Sequence, residues 1–398
     1  MQRSQFDLRL YGAIIVLLAA IIYTPERSKA QVIPSSFYEL SNDGKTLLQW
    51  KGDLSEVNLA ADPTLSKIQE IAPYAFLHRD SIGRLKADYV IERIYLPPCL
   101  KKISRLSFWC RALKEIVFNK GIEELEPLSF LELPITTLSI PASIKKMEGA
   151  FSNCRYLERI EVDLQSLYYV VEEDMLINVD RRSIVLYPAG LLNRQPALPK
   201  NILGVEENAF MGAPFIEKIV LETGVQYIGK KAFSQCSSLV FIDFPESMKE
   251  IGEEALWYSP IDTLLFRSCT PVSFKGFPFA ATQFKPKALI VPRGCESIYS
   301  SNATFATMAL ALYTIDSHSL SEADGDPLGE PLFYTVGRAL YLNLPNDVSE
   351  AKLFDKEGKI VRIFVTSGAY NLAPGIYFLQ IKKQSYKLII PQMVVDAL

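Results

Sequence analysis

Two patterns of apolar positions alternate along most of the chain. One reads aliphatic-x-x-aliphatic-x-aliphatic: IERIYL (91–96), LKEIVF (113–118), ITTLSI (135–140), LERIEV (157–162), IEKIVL (216–221), LVFIDF (239–244) and IDTLLF (261–266). The other closes on a phenylalanine: IAPYAF (71–76), ISRLSF (103–108), LEPLSF (125–130), VEENAF (205–210) and IGKKAF (228–233), with IGEEAL (251–256) as a variant. The middle aliphatics Ile94, Ile116, Leu138 and Ile160 step by 22 residues, and Ile219, Ile242 and Leu264 continue at 23 and 22. The second pattern follows 9 residues later in each regular unit, as from Ile94 to Ile103 and from Ile219 to Ile228. Two spacings kept together define an internal repeat.

The first pattern predicts a short strand. Alternate side chains of a strand share a face, so Ile94 and Leu96 point inward while Arg93 and Tyr95 point out. One such strand cannot bury its apolar face alone; stacked copies make a continuous core, which predicts a solenoid. The second pattern sends its first aliphatic and its phenylalanine inward from the opposite wall. Pro97, Pro141 and Pro245 fall just after the strand, where pairing has ended. Lys230 and Lys231 share their positions with Arg105, Pro127 and Glu253, as solvated places would.

The repeat also bears on the cysteines. Cys236 lies three residues after Phe233, Cys154 three after Phe151 and Cys110 two after Phe108, and the matching places elsewhere hold Leu133 and Ala213. Cysteine in this slot reads as a small core hydrophobe rather than a reactive thiol. For Cys99, Cys269 and Cys295 the spacing leaves pairing open.

The combination L-x-x-I-x-(I/F)-P followed by I-G-x-x-A-F-x-x-C-x-x-L resembles the BspA-like leucine-rich repeats of bacterial surface proteins, over roughly residues 54–300. Phe151 and Phe210 stand 59 residues apart, and VVEEDMLINVDRRSIVLYPAG (170–190) between them resembles the extra hairpin of such arrays, with Asp180 and Arg181 near its turn. The segment from Cys269 to Tyr299 resembles the usual closing unit, which would cover the last open strand edge.

After a polar, acidic segment (316–331) read as a linker, the pattern changes to short alternating strands: LFYTV, ALYLNL, EAKLFD, KIVRIFV, IYFLQIK and YKLII. About seventy residues in this form predict a small antiparallel sandwich. AKLFDKEGKIV with NLAPGIYFLQIKKQSYKLII resembles the C-terminal sorting domain of the type IX secretion system, through Gly358 and Lys359, the turn and strand at Leu372, Gly375 and Tyr377, and the final strand led by Lys387. That resemblance implies a Bacteroidetes-type bacterium, contact with its secretion machinery, and attachment to the outer surface of the cell. The fold class expected is therefore mainly β with short helical turns, a leucine-rich-repeat solenoid followed by a small antiparallel β-sandwich. Its parts are a signal peptide (1–30), a lead-in or cap (31–53), the array with its closing unit (54–315), the linker (316–331) and the sandwich (332–398).

Composition changes this picture in two ways. First, Lys+Arg 42 against Asp+Glu 45 gives a net charge of −3, which argues against a nucleic-acid partner. Second, MQRSQFDLR precedes 14 uncharged residues (Leu10–Tyr23), and Ser28 and Ala30 stand at −3 and −1 before Gln31, the layout of a secretory signal peptide. Catalytic chemistry finds little support. His78 and His318 are the sole histidines and stand far apart, no nucleophile or phosphate-loop motif occurs, and no cofactor is implied. The remaining candidate is the row of outward strand residues on the concave wall. Within it we single out Tyr95, Glu161, Asp163, Lys218, Glu222, Phe241, Asp243, Leu265 and Arg267, with Tyr95, Phe241 and Leu265 as exposed anchors and Asn119 as a further outward residue. Such a face fits a protein ligand, of the host matrix or of a bacterial surface, in an adhesin-like role. A structural surface-layer component without a specific ligand is the alternative, and an enzyme acting on surface polymers a remote one.

Overall fold

The computed structural model describes residues 32–79, 82, 85–88, 90–279, 286–302, 304–305, 311–315, 333–336, 339–342, 350–357, 359–365, 368–371, 373, 375–381 and 384–390. The expected signal peptide and linker lie outside the described residues, as do His318, Gly358 and Leu372.

The repeated strand pattern forms parallel ladders with the expected register. Glu56–Asn58, Arg93–Tyr95 and Glu115–Val117 pair in turn, with Val57, Ile94 and Ile116 opposite one another. Thr137–Ile140 pairs with Arg159–Val162, Leu138 facing Ile160. Lys218–Val220, Phe241–Phe244, Thr263–Phe266, Ala288–Pro292 and Ala311–Ile315 form a third ladder, with Ile219, Ile242 and Leu264 in line. A second wall of two-residue strands carries the other pattern: Ile71, Ile103 and Leu125, then Val205, Ile228 and Ile251. The protein is mainly β, a solenoid of stacked coils, with Glu296–Ser301 as an α-helix and short helical turns at Ser35–Phe37 and Leu65–Lys67.

Between the walls the aromatic rings stack coil upon coil. Trp50, Phe76, Phe108, Phe130 and Phe151 form one pile, with successive centroids 5.7, 4.4, 4.9 and 4.8 Å apart. Tyr187, Phe210 and Phe233 form another, at 4.9 and 4.8 Å. Trp50 thus fills an aromatic slot ahead of Phe76, in the segment expected to be a lead-in. Tyr187 accounts for most of the irregular spacing between Phe151 and Phe210. Ile184 pairs with Val205 as Val205 pairs with Ile228, and Tyr187 donates its N–H to the Ala209 carbonyl. A coil is therefore present there, with tyrosine in place of phenylalanine. It carries the expected hairpin, in which Tyr169–Glu172 and Met175–Asn178 run antiparallel and the latter pairs with Ser183–Leu186.

The turns between the walls share a backbone signature. Two residues before the aromatic, Tyr74, Leu106, Leu128, Asn208 and Lys231 adopt positive φ between 54° and 64°. Gly149 holds the same place before Phe151 at φ 70° and lies against Asn208. Left-handed backbone costs roughly 1–2 kcal/mol for a residue with a Cβ, so this turn is imposed by stacking rather than by local preference. A second such place follows the aromatic by two residues, at Glu132, Asn153 and Gln235. Gly212 occupies it after Phe210, and a Cβ there would lie 1.9 Å from the Asn153 amide oxygen.

The core cysteines behave as expected. Cys110, Cys154 and Cys236 are buried, and burial pushes the thiols of Cys154 and Cys236 up to about 12. Cys269 and Cys295, whose pairing was open, form a disulfide in the segment expected to close the array, and Cys99 is an exposed free thiol. Of the two lysines expected in solvent, Lys230 is exposed. Lys231 instead lies partly buried with its ammonium 5.3 Å from the Trp257 ring centroid and 3.0 Å from a Glu254 carboxylate oxygen.

The C-terminal region is antiparallel. Phe333–Val336, Ala339–Leu342 and Gly368–Asn371 form one sheet, and Ile360–Phe364, Ala351–Asp355, Gly375–Ile381 and Gln384–Ile390 another. The rings of Phe364 and Tyr370, one from each sheet, meet at 4.5 Å.

Candidate functional site

The outward row of the strand wall differs between its two ends. From Glu56 to Asp163 it is mostly polar: Glu56, Arg93, Thr137, Ser139, Arg159, Glu161 and Asp163 are exposed, Tyr95, Glu115 and Val117 are half-buried, and Asn58 is buried. Arg93 spans two neighbours, 2.7 Å from a Glu115 oxygen and 3.7 Å from a Glu56 oxygen. Tyr95 lies beside it on the same strand, half-buried between Asn58 and Val117. Farther along, Arg159 pairs with Glu161 at 2.8 Å, and the Ser139 hydroxyl donates to Glu161 at 3.3 Å. Asp163 is exposed just past the strand end, where its carboxylate accepts from the Gln165 N–H. Coil stacking brings Arg93 to Glu115 and Ser139 to Glu161, since their spacing of 22 residues becomes a lateral step between neighbouring strands, typically about 4.8 Å, whereas Arg159 and Glu161 lie two residues apart on one strand.

From Phe241 onward the same row is closed, which corrects the expectation of exposed anchors there. Phe241 is 5% exposed, Leu265 0% and Asp243 1%. The strands Phe241–Phe244, Thr263–Phe266 and Ala288–Pro292 are buried at every position, on both faces. Strands buried on both faces read as near-continuous apolar runs rather than as alternation, and FIDF, TLLF and ALIVP are such runs. That was the available signal, and an alternating reading passes over it. Lys218 places its ammonium 5.3 Å from the Phe241 ring centroid, so it packs on that ring instead of standing in the open. Arg267 and Asp243 form a bidentate pair, at 2.9 Å from Nε to Oδ1 and 2.7 Å from Nη2 to Oδ2. Asp243 therefore brings no open acidity to the face. Glu222 is partly buried, and burial raises its carboxyl pKa above the ordinary value against the pull of Lys200 and Arg267.

Asn119 also departs from the expected outward role. It is buried, and its amide donates to the carbonyls of Pro98 and Leu100, tying one coil to the previous one.

Of the residues singled out in the C-terminal region, Lys359 is exposed and its N–H donates to the Asp355 carboxylate. Gly375 and Tyr377 stand on one strand opposite Ile390 and Leu388, and Lys387 stands on the next opposite Phe378. Among the described residues no group of three or more His, Cys, Asp or Glu side chains is placed to hold a metal ion, and no helix is long and apolar enough to cross a membrane.

Parallel coils of 22 or 23 residues with a ringed interior define a leucine-rich-repeat solenoid. The description "BspA type Leucine rich repeat region" matches in six copies over residues 86–178 and 197–322, and the chain belongs to that family. No curated protein matches the sequence. Among solved structures, a leucine-rich repeat protein from Eubacterium ventriosum is 17% identical, with 70% of this chain and 82% of that one covered at a TM-score of 0.48. The pneumococcal vaccine antigen PcpA is 15% identical, covering 72% and 99% at 0.41. A leucine rich cell surface protein from Faecalibacterium prausnitzii is 16% identical, covering 73% and 96% at 0.37.

Proposed function

We propose that this is an exported cell-surface protein that binds another protein, of the host matrix or of a neighbouring bacterium, through the outward face of its strand wall. The observation that carries the reading is the open stretch from Arg93 to Asp163, where Tyr95 and Val117 lie half-buried among exposed charged and hydroxyl groups. An amphipathic aromatic within a polar rim is the composition of a protein-binding surface. Export by the N-terminal leader, and sorting to the outer membrane through the motif around Gly358, Lys359, Leu372, Gly375, Tyr377 and Lys387, belong to the same proposal. So does the division into leader, cap, array, linker and sandwich. Catalysis has no part in it.

The test is binding of the purified chain to a panel of matrix proteins and bacterial cells, with Tyr95→Ala and Arg159→Glu compared with Lys230→Ala on the turn edge. The first two should weaken binding roughly tenfold or more, as loss of a central contact does, and the third should leave it unchanged. Binding indifferent to all three would remove the face from consideration. A second reading, a surface-layer component without a specific ligand, is favoured by one observation: the charges on the face are paired with each other, Arg93 with Glu115 and Arg159 with Glu161. Ordered packing on the cell without measurable affinity for any of the panel would select it.

A further inference from the structure

The outward residues of the closed stretch form two rows across the paired strands. Phe241, Thr263 and Ala288 stand side by side, and so do Asp243, Leu265 and Ile290. All six are buried. The ladder cannot enclose them by itself, because lateral neighbours flank a side chain and leave its tip free. Tyr95, flanked in the same way by Asn58 and Val117, remains half-buried. The two apolar clusters enclosed between the walls include none of Phe241, Leu265, Ala288 and Ile290, so the cover is not the array's own interior. Nor is it the helix Glu296–Ser301. Tyr299 and Phe305 gather on the inner side, against Phe266, in the cluster that holds Leu289 and Val291. Lys218, Phe241 and Arg267 each have a partner beyond those named above.

What remains is the chain beyond the ladder's last strand, Ala311–Ile315. The next described strand, Phe333–Val336, comes within 8 Å of it between Cα atoms. That strand opens the three-stranded antiparallel sheet, which the contact of Phe364 with Tyr370 joins to the four-stranded one. Sheets pack face to face about 10 Å apart, with side chains interdigitated between them, and such a contact excludes water from the outward rows. Position in the chain agrees. The wall is closed at the end that leads into this region and open at the end farthest from it in sequence. We propose that the C-terminal antiparallel region is docked on Phe241, Leu265 and Ile290, and that it holds shut an apolar face that opens when the region lifts away. An aromatic and aliphatic patch left open, bordered here by Lys218, Glu222 and Arg267, is a site of association with other proteins. Docking therefore keeps this end of the wall from associating, an autoinhibitory contact within one chain. The inference is independent of the proposed binding face, which lies at the open end of the wall.

The test uses the whole chain with a specific protease site placed just ahead of Phe333. After cutting, the two parts should migrate together and separate on dilution. Hydroxyl-radical oxidation of Phe241 and Leu265 should then rise several-fold in the released array, while Phe233 stays protected and Cys236 unlabelled. Leu265→Arg should weaken the association roughly tenfold or more, as a charge set into an apolar contact does. Ala288→Arg is a second substitution on the same face, and Cys236 labelling reports whether the array of either variant stays folded. Parts that separate with Phe241 and Leu265 still protected would overturn the proposal, because the cover would then lie ahead of the cut. Exposure of Phe233 along with them would overturn it as well, by making the C-terminal region part of the array's own fold. So would parts held equally tightly with and without the substitutions, which would place the contact elsewhere.

Discussion

The two ends of the strand wall are built from one repeat and face solvent differently. In the first five coils most outward positions are open or half-buried over buried Val57, Ile94, Leu138 and Ile160, and the row carries exposed ion pairs, such as Arg159 with Glu161. From Phe241 onward the outward row is as buried as the inward one, and its ion pair of Asp243 with Arg267 is sheltered. The same period therefore yields a surface at one end and a second core at the other. What distinguishes them is the composition of the outward positions, since the backbone ladder is parallel and in register in both.

That contrast can be broken by mutation. The largest effects belong to the closed end. Leu265→Ala should destabilise by about 2–5 kcal/mol, as for a filled core site, while Val117→Ala, outward at the open end and half-buried, should cost under about 1.5 kcal/mol. Urea unfolding of the two variants reads the difference, and similar losses would erase the distinction. Next come the ion pairs. Removing one partner of a buried pair leaves the other charge uncompensated and costs about 3–5 kcal/mol, whereas an exposed pair contributes about 0–1 kcal/mol. Asp243→Ala should therefore lower the unfolding midpoint far more than Glu161→Ala, even though both remove a carboxylate facing an arginine.

The smallest effect is a dependence on pH. Burial raises the Glu222 carboxyl above its unfolded value of 4.5, so the folded state binds the proton more readily. Its contribution to stability is then most favourable below that value and declines as pH rises through the raised pKa. Glu123 has the opposite sign. Lys145 and Lys101 hold its carboxyl down to about 2, and what it contributes is present at neutral pH and lost on acidification towards that value. Glu222→Gln should flatten the stability profile above pH 4.5, and an unchanged profile would show that its environment is not desolvating.

Much of this architecture was legible in the sequence because stacking obliges each coil to repeat its inward positions. Ile94, Ile116, Phe108, Phe130 and the cysteine slot could be placed by spacing alone. The coil around Tyr187 escaped because tyrosine replaced phenylalanine and a hairpin separated it from Phe151. Trp50 escaped for a similar reason, standing in an aromatic slot without the phenylalanine pattern around it. The burial of Phe241 and Leu265 was signalled by the near-continuous apolar runs FIDF and TLLF, which a reading by alternation passes over. The pairing of Asp243 with Arg267 joins a strand residue to one beyond the end of the neighbouring strand, so register did not reveal it either. The left-handed turn residues were hidden because tyrosine, leucine, asparagine and lysine all occupy one conformation that sequence associates with glycine.

Hydroxyl-radical footprinting of the folded chain tests the division of the strand wall most directly. The account expects Tyr95 and Val117 to be oxidised readily while Phe241 and Leu265 stay protected until the array unfolds. Modification of Phe241 and Leu265 at the rate of Tyr95 in the native state would contradict it.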